Sequence, residues 1–159
     1  MQWKWVRLLD RKILIEYADI REEVKDLRRR INNLERQIEK IEEAGTVRDS
    51  VTGGLGGLQH FEVEGFPTPE YNKKRTLLYM RKTLLADKEL ELMMIMNEVE
   101  AFIEAIPSSE LRTLFRLYYI DDLTWSMVAM RMNAIYSKKK RSYTDESCRK
   151  KHDRFLKKL

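Results

Sequence analysis

Ser147, Arg149, Lys150 and Arg154 follow Thr144 closely enough to share one helix, and each can donate hydrogen bonds to base edges or phosphates. Arginine can offer guanine two hydrogen bonds at once, and lysine neutralises phosphate as a compact charge. Thr144 is the expected N-cap of this helix, with Asp145 and Glu146 in a first turn where carboxylates suit the helix dipole. The same acids repel phosphate. Capping or acceptance of a cytosine amino hydrogen would each offset that, and the sequence leaves both open. Upstream, Arg131, Lys138, Lys139, Lys140 and Arg141 are placed to hold a sugar-phosphate backbone, together with the N-terminus of a helix capped by Thr124.

Catalytic chemistry has few candidates. His60 and His152 lie in different segments, and no paired Cys or His spacing suggests zinc. The carboxylates sit among basic residues in the manner of solvated helix surfaces. Cys148, the single cysteine, falls on an apolar helix face and reads as a small buried group. The six glycines include no Gly-Lys-Ser or Gly-Lys-Thr that would cradle a phosphate. The expectation is a non-enzyme with no cofactor and no metal.

Charge is distributed unevenly. From Arg131 to Leu159 there are eleven lysines and arginines against three acids, a surplus of eight; the total of +5 leaves the remainder at −3. Each cation that neutralises a phosphate releases a condensed counterion, so this clustering is the footprint of a nucleic-acid binder.

Three short amphipathic patterns carry these residues. Leu111, Leu114, Phe115 and Tyr118 form the first, behind Pro107 and a capping serine; Trp125, Val128, Ala129 and Met132 form the second; Cys148, His152, Phe155, Leu156 and Leu159 form the third. Asp121-Asp122-Leu123-Thr124 reads as a turn ending in an N-cap. Three such helices can share one small core and form a helix-turn-helix.

The stretches Leu111-Arg112 through Tyr118-Tyr119-Ile120, Leu123-Thr124-Trp125-Ser126-Met127-Val128-Ala129, Tyr143-Thr144 to Cys148-Arg149, and Phe155-Leu156 resemble the promoter-reading region four of sigma factors. Val47-Arg48-Asp49-Ser50-Val51-Thr52-Gly53-Gly54, followed by Gln59-His60-Phe61 and Glu64-Gly65-Phe66-Pro67, resembles the middle of RinA and ArpU-type phage regulators. The matches span about 47 to 159. The resemblance implies a prophage-encoded regulator that activates late genes, with double-stranded DNA and host RNA polymerase as partners. One departure stands out. A tight helix-turn-helix joins its last two helices through three or four residues, whereas Asn133 to Tyr143 intervene here, as a phosphate-gripping basic loop or as a hinge.

The reading region needs a carrier. Ile13, Tyr17, Ile20, Val24, Leu27, Ile31, Leu34, Ile38 and Ile41 step by four and three, the spacing of a coiled-coil seam. Glu16 with Arg21, Glu23 with Arg28 and Arg30 with Glu35 would flank a parallel homodimer through these N-terminal helices. A second long helix, from about Tyr71 to Ile106, carries a stripe of Leu85, Leu92, Ile95, Val99, Phe102 and Ile106, widened by Leu78, Leu84, Met93 and Met96. The two stripes could instead close as an antiparallel hairpin. All glycines fall between Gly45 and Pro69, a connector in which Phe61, Val63 and Gly65 suggest a brief extended segment. The expected architecture is all-α: a long-helix module over 1–106 with its connector at 45–70, then a helix-turn-helix over 107–159.

No run approaches 18 apolar residues and no signal-like segment opens the chain, so a cytoplasmic protein is expected. Two other functions fit the same features. A phage small-terminase subunit also combines a helix-turn-helix with long helices, in a ring. A structural coiled-coil protein with a basic tail would bind DNA without sequence preference.

Overall fold

Two uninterrupted apolar stripes fold into two long helices, α1 (Lys12–Ala44) and α2 (Thr68–Ala105). The computed structural model describes residues 11–53, 59–138 and 142–159. The fold is all-α. Between the long helices stand two strands, β1 (Val47–Gly53) and β2 (Gln59–Gly65); after them come α3 (Ser109–Phe115), a π-helical turn (Arg116–Ile120), α4 (Trp125–Ile135) and α5 (Asp145–Leu156). Among the described residues no helix is long and apolar enough to cross a membrane.

The chain divides into two compact units. One spans Glu23–Glu89; the other joins the residues up to Glu22 with Leu90–Leu159. Each long helix therefore contributes to both, and the helical region beyond Pro107 draws on residues far from it in sequence.

In the Glu23–Glu89 unit, α1 and α2 run antiparallel. Glu23 pairs with Lys88 at 2.9 Å, Arg28 with Glu89 at 2.6 Å and Glu35 with Lys82 at 2.7 Å. Lys74 then donates to Gln37 at 2.8 Å, and Tyr71 to Glu42 at 2.6 Å. Val24, Ile31, Leu34 and Ile38 are buried at 5% exposure or less. The side chains expected to flank a parallel pairing of α1 are thus engaged within the chain: Arg28 reaches α2, and Arg30 turns back to Asp26 at 2.6 Å. Such exposed pairs fix direction and register more than they stabilise, at tenths of a kcal/mol each.

Gly45 ends α1 in the left-handed region, at φ +66°, and its N–H closes on the Ile41 carbonyl at 3.1 Å. A side chain there would meet nothing, so the glycine is needed for the sign of φ alone. Where a loop with one brief extended segment is expected, the structure has an antiparallel ribbon, with Val47 opposite Gly65 and Val51 opposite Phe61. The alternation of Phe61 and Val63 was its visible half; β1 lacks an equally clear pattern.

The other unit holds one core. Leu14 and Tyr17 of α1, Val99, Phe102 and Ile103 of α2, and Ile106 just beyond its end meet the inner faces of the three short helices. Ser108 caps α3 through the Leu111 N–H, as expected. The π-helical turn then inserts an extra residue, marked by the Asp121 N–H bonding the Arg116 carbonyl at 3.0 Å. The buried stripe consequently continues as Leu117 and Tyr119, with Tyr118 half-buried, instead of the regular step to Tyr118. Two further expectations are corrected by burial. Leu159 is 51% exposed beyond the end of α5, and Leu84 and Met93, at 49% and 61%, lie outside the inner stripe of α2.

Arg21 of α1 fastens the turn before α4. Its guanidinium donates to the Tyr119 carbonyl at 2.6 Å and pairs with Asp122 at 2.9 Å. Asp122 itself has φ +54°, a conformation that aspartate tolerates better than most residues. Removing the guanidinium strands the Tyr119 carbonyl. Arg21→Ala should lower unfolding stability by about 2 kcal/mol, and Arg21→Lys should recover less than half, because one ammonium cannot reproduce the fork. Thermal unfolding of the three chains checks this.

Candidate nucleic-acid interface

The start of α5 is fixed by three devices. Thr144 Oγ1 accepts from the Ser147 N–H at 3.1 Å while Ser147 Oγ accepts from the Thr144 N–H at 2.9 Å, a reciprocal capping box. Asp145 accepts from the Glu146 N–H at 2.7 Å. One residue earlier, Tyr143 is gripped by Asn133 of α4: the amide donates to the Tyr143 carbonyl at 2.8 Å and accepts from its N–H at 2.7 Å. Tyr143 is also buried, at 3% exposure. The chain is therefore tied down at Tyr143, immediately before the helix that follows.

Cys148 and His152 face the core, and a helix turns roughly 100° per residue. Glu146, Lys150, Asp153 and Lys157 form the outermost row, with Arg149 on one side and Arg154 and Lys158 on the other; all are exposed. Lys150 is paired with Glu146 at 2.6 Å, and this contact holds the Glu146 carboxyl below its usual range. The acids that opposed a DNA reading are thus occupied locally, Asp145 in capping and Glu146 with Lys150.

The expected site residues separate into distinct roles. Thr124 caps α4 by accepting from the Met127 N–H at 3.4 Å, and Thr144 caps α5. Ser147 is half-buried, with its hydroxyl committed to the capping box and to the Thr144 carbonyl. Arg131, Lys138, Arg149, Lys150 and Arg154 are all exposed in the same compact unit. Lys139, Lys140 and Arg141 lie outside the described residues. Lys157 was legible only as part of the charge count, yet its place seven residues beyond Lys150 puts it on the same row.

Behind α5 lies an aromatic cluster. His152 Nε2 stands 2.8 Å from the Tyr119 hydroxyl and Nδ1 2.9 Å from Asp153 Oδ1. A carboxylate only accepts, so Nδ1 carries the proton and the tyrosine donates to Nε2. Trp125 stacks on Tyr118 at 4.0 Å between ring centres, and its edge meets His152 at 5.2 Å. Burial lowers the His152 pKa, and it raises those of Tyr119 and the Cys148 thiol. On the other flank of α5, Lys151 pairs with Glu110 and lies 4.8 Å from the Tyr143 ring centre. A shallow cavity of about 260 Å³ opens there, lined by Ser108, Leu111, Arg154 and Lys158 among others. Among the described residues no group of three His, Cys, Asp or Glu stands together to hold a metal.

Two measurements test this geometry. Asn133→Ala frees two backbone groups at Tyr143 and should cost about 2 kcal/mol in denaturant unfolding; a change within a few tenths would show that the clamp is idle. Because His152 takes a proton less readily folded than unfolded, its contribution is full above the ordinary histidine value of 6.5 and declines as pH falls below it. The melting temperature should therefore drop between pH 7.5 and 5, and His152→Gln should flatten that dependence. No family model matches the chain, and neither a curated protein nor a solved structure matches it.

Proposed function

We propose that this chain is a sequence-specific DNA-binding transcription regulator that reads duplex DNA with the outer surface of α5. The observation that carries the reading is a helix whose first turn is capped and clamped while Arg149, Lys150, Arg154 and Lys157 stand exposed along it. A reading helix must be held in register against base edges, and its phosphate partners must be cations free to desolvate. Arg149, on the flank of the outer row and within the first turns, is the side chain assigned to base recognition. Arg154 and Lys157 hold phosphates, Lys150 does so only by exchanging its Glu146 partner for one, and the N-terminus of α4 at Thr124 supplies backbone N–H groups to the same strand.

The resemblance to sigma region four and to RinA and ArpU-type regulators extends this reading to prophage late-gene activation, with host RNA polymerase as the partner on the promoter. Binding through phosphates alone would suit a structural protein with a basic tail. What argues for readout is the fixed start of α5: a mobile tail needs neither a reciprocal cap nor a two-bond clamp.

Footprinting on DNA flanking the gene, at two salt concentrations, separates the possibilities. The parent chain should protect a defined site. Arg149→Ala should cost about 1–3 kcal/mol and relax the preference at one base position, whereas Lys157→Gln should weaken all sequences alike and reduce the salt slope by about one. Protection without a preferred sequence, or an Arg149→Ala chain that reads the same site as well as the parent, would contradict the proposal.

A further inference from the structure

Within the Glu23–Glu89 unit, one inward row of α2 is made of cations. Lys74, Arg81 and Lys88 stand half-buried at every seventh position, and the same row continues in the other unit as Ile95 and Phe102. An apolar residue at these places would bury more surface against α1. Cations there need partners, and the three are served unequally. Lys88 pairs with Glu23 at 2.9 Å. Lys74 donates to Gln37 at 2.8 Å and stands 3.5 Å from Glu70. Among the described residues the Arg81 guanidinium has only the Arg30 carbonyl, at 3.5 Å. Lys74 and Arg81 line a cavity of about 470 Å³ that opens along one side of the hairpin. That volume is within the range of small-molecule sites. With Arg30 and Lys73 the lining holds four cations against the single acid Glu70, in a unit whose 13 cations and 12 acids nearly cancel. Asp26, outside the cavity, holds Arg30 through Nε alone at 2.6 Å, and counting it still leaves a surplus of two. Lys73 is exposed and has no carboxylate partner among the described residues.

The positive charge is gathered at two ends. Lys73 and Lys74 lie beside Gln37; Arg81 lies beside Arg30, seven residues further along α2 and seven residues back along α1. Seven helical residues rise by about 10 Å. Leu77 falls midway between Lys74 and Arg81, and Leu34 midway between Arg30 and Gln37, so the floor between the two ends is apolar. Leu34 is buried there, whereas Leu77 remains 38% exposed. We propose that this groove binds a small dianion, a molecule with a carboxylate or a phosphate at each end of an apolar span about two helical turns long. One anionic end meets Lys73 and Lys74. The other meets the Arg81 guanidinium and the terminal nitrogens of Arg30, whose planar forks suit either group. The span between them covers Leu77.

Titration of the full, isotope-labelled chain with two pairs of dianions, followed by amide chemical shifts, tests this. Azelate, whose extended carbon chain spans the distance between the two ends, is compared with the shorter glutarate, and pentanediol bisphosphate with ethanediol bisphosphate. In at least one pair the longer molecule should bind at least fivefold more tightly than the shorter, because its second end binds intramolecularly. The shifts should fall within 30–37 and 73–81, and the pair that binds more tightly names the end group. Lys73→Gln and Arg81→Gln should each remove the advantage of the longer molecule. Lys73 is exposed, so helix content should stay at the parent level in that variant and the loss be one of binding. Absence of binding in both pairs, an affinity indifferent to length, shifts outside the groove, or variants that keep the parent's preference for length would each overturn the proposal.

Discussion

The helical region beyond Pro107 depends on the burial of Phe115. This ring is fully enclosed, and its centre lies 6.2 Å from Phe102 of α2, 5.7 Å from Tyr119 in the π-helical turn, and 5.0 and 5.5 Å from His152 and Phe155 of α5. One side chain thus joins a long helix to the start and the end of the three-helix region. Helices of seven, eleven and twelve residues are too short to be stable alone in water and each can bury only one face. Their stability comes from the shared core, and the ends of α1 and α2, with Ile106 just beyond, supply a large part of it through Leu14, Tyr17, Val99, Phe102 and Ile103. Truncation to the last fifty residues would remove that part.

A core of this kind positions a surface. The π-helical turn moves Leu117 and Tyr119 inward, which brings the Tyr119 hydroxyl to His152 and its carbonyl to Arg21. The first contact sets the rotation of α5 about its axis; the second holds the turn before α4. Since Cys148 and His152 must face inward, the placement of Glu146, Lys150, Asp153 and Lys157 outward follows from helical geometry. The internal pair between Glu146 and Lys150 occupies the acid of that row nearest Arg149, which stands exposed on the neighbouring flank.

Much of this was legible in the residues. The periodicity of Val128, Ala129 and Met132, the caps at Thr124 and Thr144, and the long stripes of α1 and α2 are local signals, and local signals survive folding when nothing competes with them. Three kinds of feature were not legible. The π-helical turn departs from a regular period at Tyr118, and periodicity assumes regularity. The Asn133 clamp and the Arg21 contacts join residues 10 and 98 positions apart, and a polar residue in a helix gives no sign of a distant carbonyl partner. Finally, the width of the α2 stripe does not tell which of its margins α1 covers: Leu84 and Met93 widen the stripe in the sequence but are exposed in the fold.

The central claim is that duplex DNA meets the chain along α5 and the N-terminus of α4. Mapping amide chemical-shift changes as a cognate duplex is added to isotope-labelled protein tests it most directly. The account predicts the largest changes at residues 124–126 and 144–150, with smaller ones near Arg154 and Lys157. Changes confined to Glu23–Glu89, or limited to the last three residues of the chain, would contradict it.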